Sequence, residues 1–342
     1  MRILLLSHKF YPNIGGIESI SEMLAVEFIE AGHQVRVVTW SLDETKKKFS
    51  FQVVRKPNVY ELIKQYLWAD VVFENNPCLR LIWPNFIISK PRIIGLQTWI
   101  ARVDGQISII DRLKRQNLII SKQVIACSES IRKKNWKNAI VIGNPYKLTQ
   151  FEVKSEVRRI FDFVFLGRLV SDKGADILIK AFADLNNGIP CERQYTLSII
   201  GDGEEKQKLI KMVSELKMDK KVHFTGSLIG EELVKKLNEH KYIVVPSVWE
   251  EPFGIVALEG MACGCLPIVS DGGGLPDAVG KAGVTFRSGD VDNLVTVIRN
   301  LINNPLYESD LRNKSAEHLT VHSSTVVARK YLDIIESVVN NK

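Results

Sequence analysis

The sequence predicts an α/β protein built from two doubly wound domains that face a central cleft. Three observations carry this expectation. The chain has 342 residues, which at about 150 residues per domain suits two domains with sizeable cores. From the first residues onward, apolar runs of strand length alternate with longer segments of helical period, the pattern of a parallel sheet covered by helices on both faces. The alternation breaks once, in a polar stretch at 147–159, and then restarts.

In the first half, strands are expected at 3–6, 35–39, 71–73, 93–96 and 124–126, with a further apolar run at 140–142 before the turn Asn144-Pro145. In the second half they are expected at 161–166, 197–200, 222–225, 243–246 and 266–269, with helices between. The segment 326–339 has apolar residues at helical spacing and no strand after it, which reads as a closing helix. The expected division is therefore a first domain at 1–150, a second at 151–325 and a closing helix at 326–342. No internal repeat and no low-complexity tract is visible, which sets solenoids and propellers aside. Open α/β sheets bind ligands outside the carboxyl ends of their strands, so functional residues are expected in the loops that follow strands.

Apolar residues make up 45% of the chain and charged residues 25%, the proportions of a globular protein and not of a disordered or fibrous one. The apolar opening at 1–7 ends at His8 and Lys9, too short for a secretory or a spanning segment, so a cytoplasmic chain is expected. Five cysteines, an odd number with no CxxC pair, suggest reduced core thiols and neither a disulfide framework nor a zinc knuckle. Lys and Arg outnumber Asp and Glu by 46 to 39. That excess suits an anionic partner, whether a phosphate-bearing substrate, a membrane surface or a nucleic acid.

Three loops hold residues with chemistry to offer. The first runs from His8 to Gly15-Gly16, directly before a helical segment. Adjacent glycines let backbone N–H groups approach an anion at a helix N-terminus, and a simple tight turn explains them equally. The second is Gly167-Arg168-Leu169-Val170-Ser171-Asp172-Lys173-Gly174, where Arg168 and Lys173 could converge on one anion as a fork and a point charge, or stand as scattered surface cations. The third runs from Pro246 through Glu251, Phe253 and Gly254 into a helix carrying Glu259. Eight residues on a continuous helix would separate the two glutamates by about 12 Å, too far for the roughly 5 Å carboxylate pair of a retaining glycoside hydrolase. A glutamate in the apolar stretch 255–261 is costly to bury unless something accepts its charge, and sugar or ribose hydroxyls would do so. A solvated position is the plain alternative. Neither Gly15-Gly16 nor Gly201-Asp202-Gly203 extends to a GxGxxG fingerprint, and Gly280-Lys281 does not complete a P-loop.

Taken together, Tyr11-Pro12 with Gly15-Gly16-Ile17-Glu18, Gly167-Arg168 with Lys173-Gly174, Gly201-Asp202-Gly203, the run 222–226, and the E-x7-E pattern from Glu251 to Glu259 resemble the retaining nucleotide-sugar glycosyltransferases of family 4. Their architecture of two Rossmann-like domains is called GT-B. The resemblance extends from the first loop to Asp277 and is most specific in the second domain. It implies that Arg168, Lys173 and Glu251 are catalytic. Arg168 and Lys173 would bind the donor diphosphate, with Gly15, Gly16 and Gly203 beside it. Glu259 would hold the ribose hydroxyls, while Glu251, with the amides of Phe253 and Gly254 and with Ile255, would hold the transferred sugar. Val222 would lie in the stretch bordering the base. The acceptor, a carbohydrate or a lipid-linked glycan, would lie on the first domain near Gln97, Thr98, Trp99 and Arg102. No metal, no cofactor and no nucleic acid is implied, and the oligomeric state is left open.

Two departures stand out. Many members have a histidine after the strand at 93–96, where this chain reads Gln97-Thr98-Trp99, so no histidine role transfers. The loop Gly272-Gly273-Gly274-Leu275-Pro276-Asp277 has aspartate where glutamate is commoner. Other readings of the same residues are a nucleotide-sugar epimerase or phosphorylase, or a silent binder of membrane surfaces. Residues 111–122 carry Arg112, Lys114, Arg115 and Lys122 among apolar neighbours, a pattern that suits an anionic leaflet or an ordinary surface helix. His318 and His322, four apart, lack the glutamate and third ligand of a zinc site. Lys46-Lys47-Lys48 reads as a solvated run.

Overall fold

The computed structural model describes residues 1–13, 15–43, 45, 47–100, 107–191 and 194–340. They divide into two compact units, Met1–Pro145 with Ser324–Lys342, and Tyr146–Ser323. The first unit runs β1 (Arg2–Ser7), α1 (Gly16–Glu30), β2 (Gln34–Thr39), β3 (Gln52–Arg55), α2 (Val59–Trp68), β4 (Val71–Asn75), α3 (Leu79–Ile82), α4 (Asn85–Ile88), β5 (Arg92–Leu96), α5 (Ile109–Ile119), β6 (Gln123–Ala126), α6 (Glu129–Asn135) and β7 (Ile140–Val141). Every paired strand is parallel, in the order β3-β2-β1-β4-β5-β6-β7. Ile3, Leu4, Leu5 and Leu6 are all fully buried, as a parallel strand covered on both faces requires.

Helix starts follow local chemistry. Asn58 and Glu61 close a capping box on α2, and Ser108 and Asp111 close another on α5. Each satisfies backbone N–H groups that the first turn leaves unpaired.

The second unit runs β8 (Phe161–Leu166), α7 (Ala175–Asn186), β9 (Leu197–Ile200), α8 (Lys206–Glu215), β10 (Val222–Gly226), α9 (Gly230–Asn238), β11 (His240–Val245), α10 (Ile255–Ala262), β12 (Leu266–Ser270), α11 (Leu275–Val279), β13 (Val284–Phe286), α12 (Val291–Ile302) and α13 (Pro305–Val321). Its parallel sheet has the order β10-β9-β8-β11-β12-β13. Phe163, Leu178, Phe182, Leu197, Ile199, Val244 and Ile268 lie in its core. Strand order reverses between β8 and β11 here, and between β1 and β4 in the first unit. These are the switch points at which doubly wound sheets open a crevice.

Two strands escaped the pattern in the sequence. β3 is four residues of a half-buried edge strand, and β13 has only three, so neither makes a long apolar run. The structure also moves the expected boundaries. The first unit ends at Pro145 and not at 150, and the last helix, α14 (Ser324–Asn340), belongs to the first unit. Tyr331 of α14 is fully buried, with its ring 5.5 Å from that of Phe73, and Ser324 donates to the Glu27 carboxylate of α1 at 2.5 Å.

Candidate functional site

In the second unit the loops after β8, β9, β11 and β12 are locked together by backbone contacts. Gly174, at φ +68, lies so close to β11's exit that a Cβ there would stand 2.0 Å from the carbonyl oxygen of Pro246. Only glycine tolerates both the left-handed backbone and that approach. The Asp172 carbonyl accepts the N–H groups of Val248 and Trp249 at 3.0 and 3.2 Å. The Glu251 carbonyl accepts the Gly274 N–H at 2.7 Å. Ser270 Oγ donates to the Ser247 carbonyl at 2.6 Å.

This stitching brings Lys173 and Glu251 into contact. Lys173 Nζ donates to Glu251 Oε1 at 2.5 Å, with both side chains largely shielded at 16% and 13% exposure. Ser247 Oγ donates to the same oxygen at 2.8 Å, and Lys173 Nζ lies 5.2 Å from the Trp249 ring centre. The resemblance implies separate tasks for Lys173 and Glu251, whereas in the structure they pair with each other. Ser247 and Trp249 carry no motif of their own and join the site only through these contacts, from within the Pro246–Gly254 loop. Arg168 is exposed and has no partner among the described residues.

Glu259 lies one turn into α10, past Gly254 and Ile255, which open that helix. It is partly buried, and burial alone pushes its carboxyl up to about 7. No group among the described residues pairs with it. A carboxyl held in this way is short of hydrogen-bond donors. Phe253 is 2% exposed, its ring 5.6 Å from that of His322, so only its backbone is available to a ligand. His318 Nε2 donates to the Ala278 carbonyl at 2.8 Å, and its ring lies 4.7 Å from that of His322. These histidines pack beneath the site, and no group of three metal-ligating side chains occurs among the described residues.

Gly203 serves the packing of loops. Its Cβ would meet the Leu169 carbonyl oxygen at 2.3 Å, and its N–H already donates to the Asp202 carboxylate at 2.9 Å. Val222 requires a correction. It is the first residue of β10, 5% exposed and part of the core, so it stands at the opposite end of the strand from the loops. The residues at the carboxyl edge there are Thr225 and Gly226, because the loop follows the strand's end.

In the first unit, Gly15 caps α1 with extended backbone and no side-chain cap, and Gly16 is the helix's first residue. The Glu18 carboxylate folds back beside Gly15. Gln97 is 4% exposed, and its amide donates to Tyr331 Oη at 3.4 Å. It turns inward to α14, and its Oε1 has no hydrogen-bond partner among the described residues. The Thr98 carbonyl accepts from Asn135 at 3.2 Å, and Lys134 lies 5.3 Å from the Trp99 ring centre. Arg102 lies outside the described residues. Of the lysine run, Lys47 is not simply solvated, because it pairs with Glu22 at 2.8 Å and lies 4.6 Å from the Tyr11 ring centre. Lys46 lies outside the described residues.

Comparison with known proteins converges on one group. Residues 149–318 match the family model described as glycosyl transferases group 1. An uncharacterised glycosyltransferase of Methanocaldococcus jannaschii is 38% identical over 332 residues, covering 82% of this chain and 83% of that protein. A glycogen synthase of Mycobacterium tuberculosis is 32% identical over 161 residues, which is 46% of this chain, and the match spans only 38% of the synthase's own length. In fold, the chain is similar to Anabaena HepE, solved in complex with UDP and glucose, with a TM-score of 0.79 at 19% identity over 98% of this chain and 100% of that one.

Proposed function

The chain belongs to the group 1 glycosyl transferases and has their GT-B architecture, and from that premise we propose that it transfers a hexose-type sugar from a UDP- or GDP-sugar to an acceptor hydroxyl with retention of configuration. The observation that carries this reading is Glu259, a partly buried carboxyl without a partner, beside loops that present Arg168, Lys173 and Glu251. Ribose hydroxyls supply the donors Glu259 lacks. The donor diphosphate draws Lys173 away from Glu251 and takes Arg168 as a bidentate fork, which frees Glu251 for a hydroxyl of the sugar. HepE, similar in fold, was solved with UDP and glucose.

No side chain is assigned as a nucleophile. The bond between the sugar's anomeric carbon and the diphosphate oxygen breaks while the acceptor oxygen bonds to that carbon on the same face. The acceptor's proton passes to the departing diphosphate. Arg168 and Lys173 then act by stabilising charge on that leaving group, with no divalent metal required.

The acceptor belongs to the first unit, and a cell-surface polysaccharide or lipid-linked glycan fits best. An anionic membrane surface fits α5 and the turn after it, where Ile109, Ile110, Leu113 and Ile119 are 77%, 58%, 46% and 68% exposed, with Arg112, Lys114 and Arg115 on the helix and Lys122 in the turn. Right-handed crossovers put α3 and α4 on the same sheet face as α5, and Phe86 and Ile87 of α4 are also exposed. Among the described residues no helix is long and apolar enough to cross a membrane.

A thermal-shift screen tests the function. UDP, GDP or one of their sugars at 100 times its dissociation constant should stabilise the chain by about 2.7 kcal/mol. If no nucleotide diphosphate or nucleotide sugar stabilises it, the reading is wrong.

A further inference from the structure

The first sheet has a switch point of its own, between β1 and β4. The loops after these strands leave side by side at the carboxyl edge. One begins with His8 and Lys9; the other runs through Cys78 to Arg80 on α3. They meet, with Cys78 Sγ 3.4 Å from His8 Nδ1. Trp40, the residue after β2, holds the Arg80 guanidinium over its ring at 4.7 Å. Lys114 approaches from α5. Partial burial, and then the positive charges of Arg80, Lys9 and Lys114, keep the His8 imidazole below its ordinary pKa.

Among the described residues no carboxylate forms a salt bridge with Lys9, Arg80 or Lys114; the nearest counter-charge is Glu74, which feels Lys114 but more strongly Arg92. The fully buried Glu74 is spent inward. It accepts the Cys78 N–H at 2.5 Å and the Asn117 amide at 3.2 Å, while Asn117 Oδ1 accepts from Arg92 at 2.7 Å. Cations that share so little counter-charge repel one another, and a bound anion relieves that cost.

We propose that His8, Lys9, Arg80 and Lys114 bind a phosphate group on the acceptor, so that the acceptor is a phosphomonoester or phosphodiester anchored at this edge. Arg80, held by Trp40, supplies the fork, and the lysines supply point charges. The inference rests on the glycosyltransferase reading, with the acceptor on the first unit.

The test compares the full wild-type chain with a Lys9→Gln/Arg80→Gln double variant, neither position being on α5. The probes are inorganic phosphate, glycerol 1-phosphate, and phosphatidylcholine vesicles with and without phosphatidylglycerol, with UDP and GDP measured alongside. The expected result is at least tenfold weaker binding of a phosphate probe by the variant, with nucleotide affinity unchanged. A loss confined to phosphatidylglycerol vesicles identifies a lipid headgroup; a loss with the soluble esters identifies a free phosphate. Equal phosphate binding by both proteins overturns the proposal. So does a parallel loss of nucleotide affinity, which would give the cluster to the donor. Should the double variant fail to fold, Arg80→Gln alone carries the same comparison. Failure of every nucleotide to bind wild type would instead strike the underlying function.

Discussion

Burial that pushes the Glu259 carboxyl up to about 7 makes the stability of the fold sensitive to pH. Its folded pKa lies above the ordinary carboxylate value, so the fold binds the proton more tightly than the unfolded chain. The stability this confers is full below about 4.5 and is lost as pH rises toward 7. Glu259→Gln should therefore raise Tm relative to wild type at pH 8, by an amount equivalent to about 1–3 kcal/mol, with no gain at pH 4. The same carboxylate must be charged to hold ribose strongly. Nucleotide affinity of wild type should thus tighten between pH 6 and 8 more than that of Glu259→Gln, measured by calorimetry. Identical pH profiles for the two proteins would remove Glu259 from the site.

At the scale of elements, function depends on loops held by backbone contacts more than on helices or strands themselves. The loop after β8 reaches Glu251 because Gly174 lets it lie against Pro246. Helix α5 is tied down by the Ser108 and Asp111 capping box at its start and by buried Leu118 near its end, while most of its apolar residues face solvent. An exposed isoleucine contributes little to stability. Ile110→Glu with Ile119→Glu should therefore leave the melting temperature near wild type and reduce pelleting with anionic vesicles severalfold at low salt. Unchanged pelleting, or equal pelleting with neutral vesicles, would show that α5 is an ordinary surface helix.

For the whole molecule, the excess of seven positive charges becomes local once the chain folds. Arg168 and Lys173 stand in one unit, and the cluster around Arg80 stands in the other. In the proposed reaction these two cations would meet the donor diphosphate and do the work that a bridging Mg²⁺ or Mn²⁺ does in metal-dependent transferases. Transfer should accordingly survive chelation, whereas Lys173→Ala should lower turnover by about 10² to 10³, the cost of losing one transition-state donor. Abolition of transfer by chelator and its recovery with Mn²⁺ would show that Arg168 and Lys173 are not the leaving-group clamp.

The class of fold and the candidate loops were legible in the residues alone. Buried parallel strands such as 3–6 and 197–200 must be apolar on both faces, and that requirement is written locally, as are the glycines and charges of 167–174 and 251–259. Short edge strands such as β3 and β13 left no such trace, since a few half-buried residues carry little periodicity. Which side chains pair emerged only on folding. Folding paired Lys173 with Glu251, turned Gln97 inward to Tyr331, sent Val222 to the far end of its strand and returned α14 to the first unit. Each of these depends on residues far apart in the chain meeting through strand order and loop packing, and no local spacing encodes which of them will touch.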